Sequence, residues 1–195
     1  MARAVRMAPE DRRMEILSAA RSLFLEYGFE GVSMGQIAAS AGISRPAVYR
    51  YFSSPTAIWD GLFEDELTHC LAECRPLLEG TQPSPSRLRS VLRHISQHRE
   101  LIALLHSGGS RAFQQHRRQL LEERLLPLLT RYSSPVRVGP YDTTILLTVL
   151  IETAWWSAEG ALLDSEVFLD NVVAWIYAAS HPEEPLPEKD SESGR

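Results

Sequence analysis

Residues 33–52 read Ser33-Met34-Gly35-Gln36-Ile37-Ala38-Ala39-Ser40-Ala41-Gly42-Ile43-Ser44-Arg45-Pro46-Ala47-Val48-Tyr49-Arg50-Tyr51-Phe52. Ser33 and Gln36 have the spacing of a capping box, which starts a helix. Ile37 and Ala41 give that helix an inward face, and Ala38 is small enough for two helices to cross closely. Gly42 can take the left-handed conformation that ends a helix. Ile43 plugs the turn. Ser44 then caps a second helix, with Pro46 in its first turn, where a missing N–H costs nothing. Val48 and Phe52 lie at i and i+4 and face one core. The stretch therefore predicts two short helices joined by a glycine turn, a unit that fits the major groove of DNA.

The remaining faces of the second helix carry Arg45, Ala47, Tyr49, Arg50 and Tyr51. A guanidinium pairs with guanine in the major groove, and an alanine methyl touches a thymine methyl. Tyrosine hydroxyls and helix N-termini suit phosphates. The expected DNA-binding residues are thus Ser33, Ser44, Arg45, Pro46, Ala47, Tyr49, Arg50 and Tyr51, with Thr56 at the start of the next helix. Helical hairpins with a glycine turn also occur as plain packing units, so the neighbouring sequence decides. Ile16, Leu17, Ala20, Leu23, Phe24 and Tyr27 recur at helical spacing before the stretch, and Tyr27-Gly28-Phe29 closes that helix.

Taken in order, several runs resemble the TetR family of bacterial transcriptional regulators. They are Ile16-Leu17-Ser18-Ala19-Ala20-Arg21-Ser22-Leu23-Phe24, Tyr27-Gly28-Phe29-Glu30-Gly31-Val32-Ser33-Met34, Ile37-Ala38-Ala39-Ser40-Ala41-Gly42-Ile43-Ser44 and Ala47-Val48-Tyr49-Arg50-Tyr51-Phe52. The resemblance covers the first quarter to third of the chain. It implies an all-α homodimer, with an N-terminal three-helix helix-turn-helix DNA-binding domain and a variable C-terminal helical ligand-binding and dimerisation domain. Two departures stand out. Gly35 occupies a position where many members carry a basic or polar residue. Ser53-Ser54-Pro55-Thr56 stands where many carry a lysine that holds a phosphate. Ser54 and Pro55 still make a sound helix start.

Composition fits a globular regulator. The chain has 195 residues, is 44% hydrophobic and carries a formal net charge of −5. Charge is unevenly placed. Residues 1–54 hold 7 arginines and 5 acids, whereas the rest holds 13 basic and 20 acidic residues. A locally basic reading head on an acidic body is compatible with DNA binding, with a strong dependence on salt. No apolar run is long enough to span a membrane, and Met1-Ala2-Arg3-Ala4-Val5-Arg6 lacks the apolar core of a secretion signal. A cytoplasmic protein is expected.

Three regions follow: a DNA-binding domain over 1–54 that includes a basic arm, a helical ligand-binding and dimerisation domain over 55–181, and a disordered acidic tail over 182–195. Arg3 and Arg6 of the arm have the chemistry to reach a minor groove, but a plain disordered tail is the favoured reading. A fourth helix is expected from Pro55 to the Leu77-Leu78 region, with Pro76 perturbing its last turn. Helices at about 88–107, 112–131, 141–162 and 165–180 follow. The last two are apolar nearly all round, so each is buried on more than one side. Pairing them with a two-fold copy hides the excess in a four-helix bundle. Leu147, Ile151, Val172 and Ile176 are the candidate interface residues.

Chemistry is sparse. The phosphate-loop, dinucleotide, zinc-protease and hydrolase-elbow motifs are all missing. Cys70 and Cys74, one turn apart, read as core residues of a reducing compartment. His94 and His98 form an i, i+4 pair without a carboxylate or cysteine at a completing local spacing, so neither metal nor cofactor is expected. These histidines, with Phe113, Glu152 and Trp156, are candidates for a small-molecule pocket. Glu152 reads equally well as a carboxylate at a dimer rim. Two rival functions are a small all-α enzyme using His94, His98 or Glu152, which lacks an accompanying nucleophile, and a helical protein-binding adaptor. The favoured reading is a ligand-responsive repressor that binds a palindromic operator as a dimer.

Overall fold

Ser33, Ser44, Ser54 and Ser84 each cap the helix that follows, and the chain is helical between these stops. The structure is a computed structural model that describes residues 8–78, 84–124, 148–149, 151–152, 155–156 and 165–180. Its regular elements are α1 (Pro9–Tyr27), a 3-10 turn (Phe29–Gly31), α2 (Met34–Ser40), α3 (Arg45–Tyr49), α4 (Pro55–Leu78), α5 (Pro85–Gln97), α6 (Arg99–Leu105), α7 (Arg111–Arg124) and α8 (Ser165–Ser180). Among the described residues there is no strand, and the fold is all-α. None of these helices is long and apolar enough to cross a membrane.

The chain forms two compact units, residues 1–72 with 99–117, and residues 73–98 with 118–195. Motif reading places a boundary at residue 54, but the first unit is larger, for a physical reason. Trp59 of α4 is wholly buried, as are Leu104 of α6 and Phe113 of α7. The Trp59 ring stacks on Phe63 at 5.3 Å and meets Phe113 edge-on at 5.2 Å. Its indole N–H donates to the Leu104 carbonyl and the Ser107 hydroxyl. Phe29 lies 4.9 Å from Phe113, and its N–H donates to the Ser107 carbonyl. This aromatic cluster makes α6 and the start of α7 part of the first unit, the N-terminal head. Gly108 permits it, since a Cβ there would lie 2.6 Å from the Phe113 ring.

In the second unit, α5 and α8 meet along an aliphatic seam. Leu92, Leu169, Val172 and Val173 are buried together, with Leu88, Val149 and Phe168 packed against them. Ion pairs flank the seam. Arg89 bonds Asp170 and reaches Glu166 at 2.6 Å, and Arg93 also bonds Glu166. The Asp170 hydrogen bond, with the nearby Glu166 charge, holds the Arg89 guanidinium above its ordinary range despite desolvation.

Element boundaries differ from expectation at the start and the end of α5, and agree at the end of α4. Ser84 and Pro85 start α5 within a stretch expected to be loop; the Ser84 hydroxyl accepts from the Arg87 N–H at 3.3 Å. The helix expected over 88–107 is broken at His98, whose backbone leaves helical space at φ −78° and ψ 67°. Pro76 lies inside α4, which continues to Leu78. Cys70 and Cys74 are buried and form no disulfide, as core residues should. The basic arm with Arg3 and Arg6, the acidic tail and most of the expected 141–162 helix lie outside the described residues.

Candidate nucleic-acid interface

The geometry of the helix pair is set by local hydrogen bonds. The Ser33 hydroxyl accepts from the Gln36 N–H at 3.4 Å, and the Gln36 side chain accepts from the Ser33 N–H at 2.9 Å, completing the capping box. At the other end of α2, the Ile43 N–H donates to the Ala38 carbonyl and the Gly42 N–H to the Ala39 carbonyl. With Gly42 at φ +66°, this pair of bonds is a Schellman motif. The turn therefore reverses direction through one left-handed residue. The Ser44 hydroxyl then accepts from the Ala47 N–H at 3.3 Å and starts α3, with Pro46 in its first turn.

Burial sorts the side chains of α3 as its spacing requires. Val48 is fully buried and Phe52 nearly so. Arg45, Pro46, Tyr49 and Arg50 are exposed, as are Ser33 and Ser44, while Ala47, Tyr51 and Thr56 are half-buried. The Arg45 guanidinium donates to the Tyr49 hydroxyl at 3.2 Å and lies over its ring at 5.6 Å from the centroid. Stacking limits the rotamers of Arg45 and leaves further N–H donors of its fork for a partner.

The arginines of α1 are committed elsewhere. Arg12 pairs with Glu15, Arg13 with Asp65 at 3.6 Å, and Arg21 with Glu66 and Glu100. Among the described residues, neither Arg45 nor Arg50 joins an ion pair. Within residues 8–54 the guanidiniums outside ion pairs are thus those of Arg45 on α3 and Arg50 at its C-cap, a sharper picture than the charge count of residues 1–54 gives. Ser54 caps α4 by accepting from the Ala57 N–H at 3.1 Å. Gly35 is exposed, and a Cβ there would meet only the Ser33 hydroxyl, at 3.8 Å. Space does not require a glycine at that position.

The candidate pocket residues are divided between the two units. Phe113 belongs to the aromatic cluster of the first unit. His94, His98, Glu152 and Trp156 belong to the second. Within it, His94 and His98 meet Glu73 of α4, a residue that local spacing could not connect to them. Glu152 is half-buried, and Trp156 is 47% exposed beside Phe168. Of the candidate interface residues, Ile151 and Val172 are buried within the chain itself, Val172 in the seam with Leu92. Leu147 and the side chain of Ile176 lie outside the described residues.

Comparison with known proteins agrees with this geometry. Residues 16–59 match the family model of bacterial regulatory proteins, tetR family. The chain is 29% identical over 87 residues to the HTH-type transcriptional activator FasR of Mycolicibacterium smegmatis, a match that spans 45% of this chain and 40% of FasR. It is 26% identical over 172 residues to the nucleoid occlusion factor SlmA of Klebsiella pneumoniae, covering 86% of this chain and 80% of SlmA. A crystal structure of a TetR-like transcriptional regulator from Rhodococcus sp. RHA1 superposes with a TM-score of 0.63 at 24% identity, covering 89% of this chain and 99% of that one. Through its capped helix pair and the match over 16–59, the N-terminal part of the chain carries the domain of the tetR family of bacterial regulatory proteins, on a fold shared with TetR-like regulators.

Proposed function

We propose that the protein is a cytoplasmic, ligand-responsive repressor that binds a palindromic operator as a homodimer and is released by a small-molecule effector. The observation that carries this reading is the exposed face of α3. Arg45, Tyr49 and Arg50 stand outward on a helix whose start, turn and core are fixed by its neighbours. In this reading α3 enters the major groove, Arg45 and Arg50 read base edges, and Ser33, Ser44, Tyr49, Tyr51 and Thr56 hold phosphates. Pro46 and Ala47 pack against the groove wall. Function lies in binding, and no step of catalysis is assigned.

Dimerisation follows from symmetry, because two heads about 34–36 Å apart match half-sites one helical turn apart. Large apolar side chains left exposed by the chain, Trp156 at 47% and Val167 at 48%, support burial against a second copy. The effector acts by preferring one of two arrangements of α4. A hundredfold preference supplies about 2.7 kcal/mol.

The test is fluorescence anisotropy with duplex DNA from the region flanking the protein's own gene, against a scrambled duplex. Specific binding is expected, with Arg50→Ala or Arg45→Ala weakening it by about 1–3 kcal/mol and relaxing base preference. Wild-type affinity and specificity in both variants would remove α3 from the interface. FasR is named an activator, so a promoter–reporter assay adds the sign of control: repression predicts higher expression when the gene is deleted.

A further inference from the structure

His98 sits at the break between α5 and α6, one turn after His94, and both rings turn toward α4. The His94 Nε2 lies 3.0 Å from the Glu73 Oε2, and the His98 Nε2 lies 3.1 Å from the same oxygen. The two ring nitrogens are 3.2 Å apart. Two imidazole nitrogens and one carboxylate oxygen thus form a nearly equilateral triangle within the second unit.

Hydrogen bonding alone satisfies this triangle poorly. A neutral imidazole nitrogen is either a donor or an acceptor. If both nitrogens carry protons, both donate to the oxygen and the two N–H groups oppose each other. If one does not, its lone pair faces the lone pairs of the carboxylate. A cation shared by all three atoms removes the conflict. Zinc bonds to histidine nitrogen and carboxylate oxygen run about 2.0–2.2 Å, so the edges of a tetrahedral site measure about 3.3–3.5 Å. The observed triangle is one face of such a site, a few tenths of an ångström tight.

Exposure and donor chemistry agree. The His98 side chain is 11% exposed, His94 23% and Glu73 45%, so the triangle is walled by its rings and open at the carboxylate. The open side leaves a fourth position for water. Imidazole and carboxylate together suit zinc and its first-row neighbours rather than magnesium or calcium. The ion would tie the C-terminal part of α4 to the end of α5.

We propose that Glu73, His94 and His98 bind a divalent transition-metal ion, with Zn(II) the best match, and that this ion is an effector of the regulator. The effector role rests on the DNA-binding reading above; the site does not.

The experiment uses the full, untagged chain, freed of metal with a chelator and titrated with zinc against a chromophoric competitor. One zinc per chain is expected. Glu73→Gln and His98→Ala should each weaken binding at least about tenfold. His116→Ala, whose ring bonds Asp60, should leave binding unchanged. Cobalt as a spectroscopic substitute should give visible bands of a tetrahedral site without thiolate charge-transfer absorption. Thiolate bands would move the ion to Cys70 and Cys74 and overturn the assignment, as would undetectable zinc binding by a folded wild-type chain. Operator affinity with and without zinc then tests the role. A change of about 5–150-fold, lost in Glu73→Gln, supports it. Zinc binding with unchanged operator affinity overturns the effector role. Zinc binding by a chain that binds no operator at all overturns the regulator reading instead and leaves the site intact.

Discussion

Two helix pairs in this chain are held by opposite means. α2 and α3 are short, and nearly every bond that shapes them closes within five residues: the Ser33–Gln36 box, the Ala38–Ile43 turn bond and the Ser44–Ala47 cap. α5 and α8 are joined by contacts between residues about 80 apart, such as Arg89 with Asp170 and Glu166. The first pair presents charge to the outside; the second uses charge to flank an aliphatic seam. Local closure makes a reading element whose shape does not depend on what the rest of the fold is doing. Long-range closure makes an element that can be biased by whatever binds near it.

The contrast is tested first where both pairs should respond alike. Ile37 of α2 is fully buried and Leu169 of α8 is 2% exposed. Ile37→Ala and Leu169→Ala should each destabilise the protein by about 2–5 kcal/mol in urea unfolding, because lost burial and a residual cavity count the same in either pair. A Leu169→Ala chain with wild-type stability would mean that the α5–α8 seam contributes little, and the second half of the comparison would fall.

Next come the glycines of the local pair. Gly42 has open space around it, yet its φ of +66° is one that an L side chain resists. Gly42→Ala should cost about 1–2 kcal/mol from backbone conformation alone. Gly35 stands in the first turn of α2 with only the Ser33 hydroxyl near a Cβ. Gly35→Ala should stabilise by up to about 1 kcal/mol. Thermal unfolding of both variants should therefore move in opposite directions. Equal shifts would show that the turn is not locally closed.

Sequence legibility follows the same divide. Ser33, Gln36, Gly42, Ser44 and Pro46 announce their roles within a window of a few residues, so the helix pair and its outward arginines are readable from the chain alone. No local signal shows that Phe113 joins the head through Trp59, because the aromatic contact spans α4 and α7. The break at His98 carries neither glycine nor proline, and its ring is met by Glu73, 25 residues earlier. The seam was visible as apolar composition but its pairing was not. Composition makes Val172 a candidate for either a dimer face or the core, and it packs against Leu92 in its own chain.

A smaller effect probes the long-range pair. Arg89 holds Asp170 and Glu166, and all three side chains are at least 31% exposed. Arg89→Leu should cost about 1 kcal/mol at low salt, the upper end for exposed pairs because two carboxylates share the guanidinium. The difference from wild type should shrink as salt is raised toward 1 M. Chemical unfolding at two salt concentrations measures it, and a salt-independent loss would point to the packing of the Arg89 stem instead.

The smallest effect belongs to a contact that mixes both modes. Glu30, in the 3-10 turn, accepts hydrogen bonds from the N–H groups of Gly109 and Ser110, 80 residues away in the latter case, at the start of α7. Burial pushes its carboxyl up, but the Ser110 backbone and hydroxyl and the Gly109 N–H outweigh burial and hold it below the usual value of 4.5. A lowered folded value means that the unfolded chain binds the proton more tightly. The stabilisation is therefore complete above the ordinary carboxylate range and disappears as pH falls through the folded value. Glu30→Gln keeps an acceptor oxygen and removes the charge from a helix N-terminus, so it should cost only about 0.3 kcal/mol at neutral pH. The two proteins should converge once the pH has fallen below the lowered folded value, where the wild-type group is also neutral. Urea midpoints from pH 7 down to acid follow the gap directly. A gap that persists in acid would mean that shape at this turn matters and charge does not, placing Glu30 with the locally closed elements of the head.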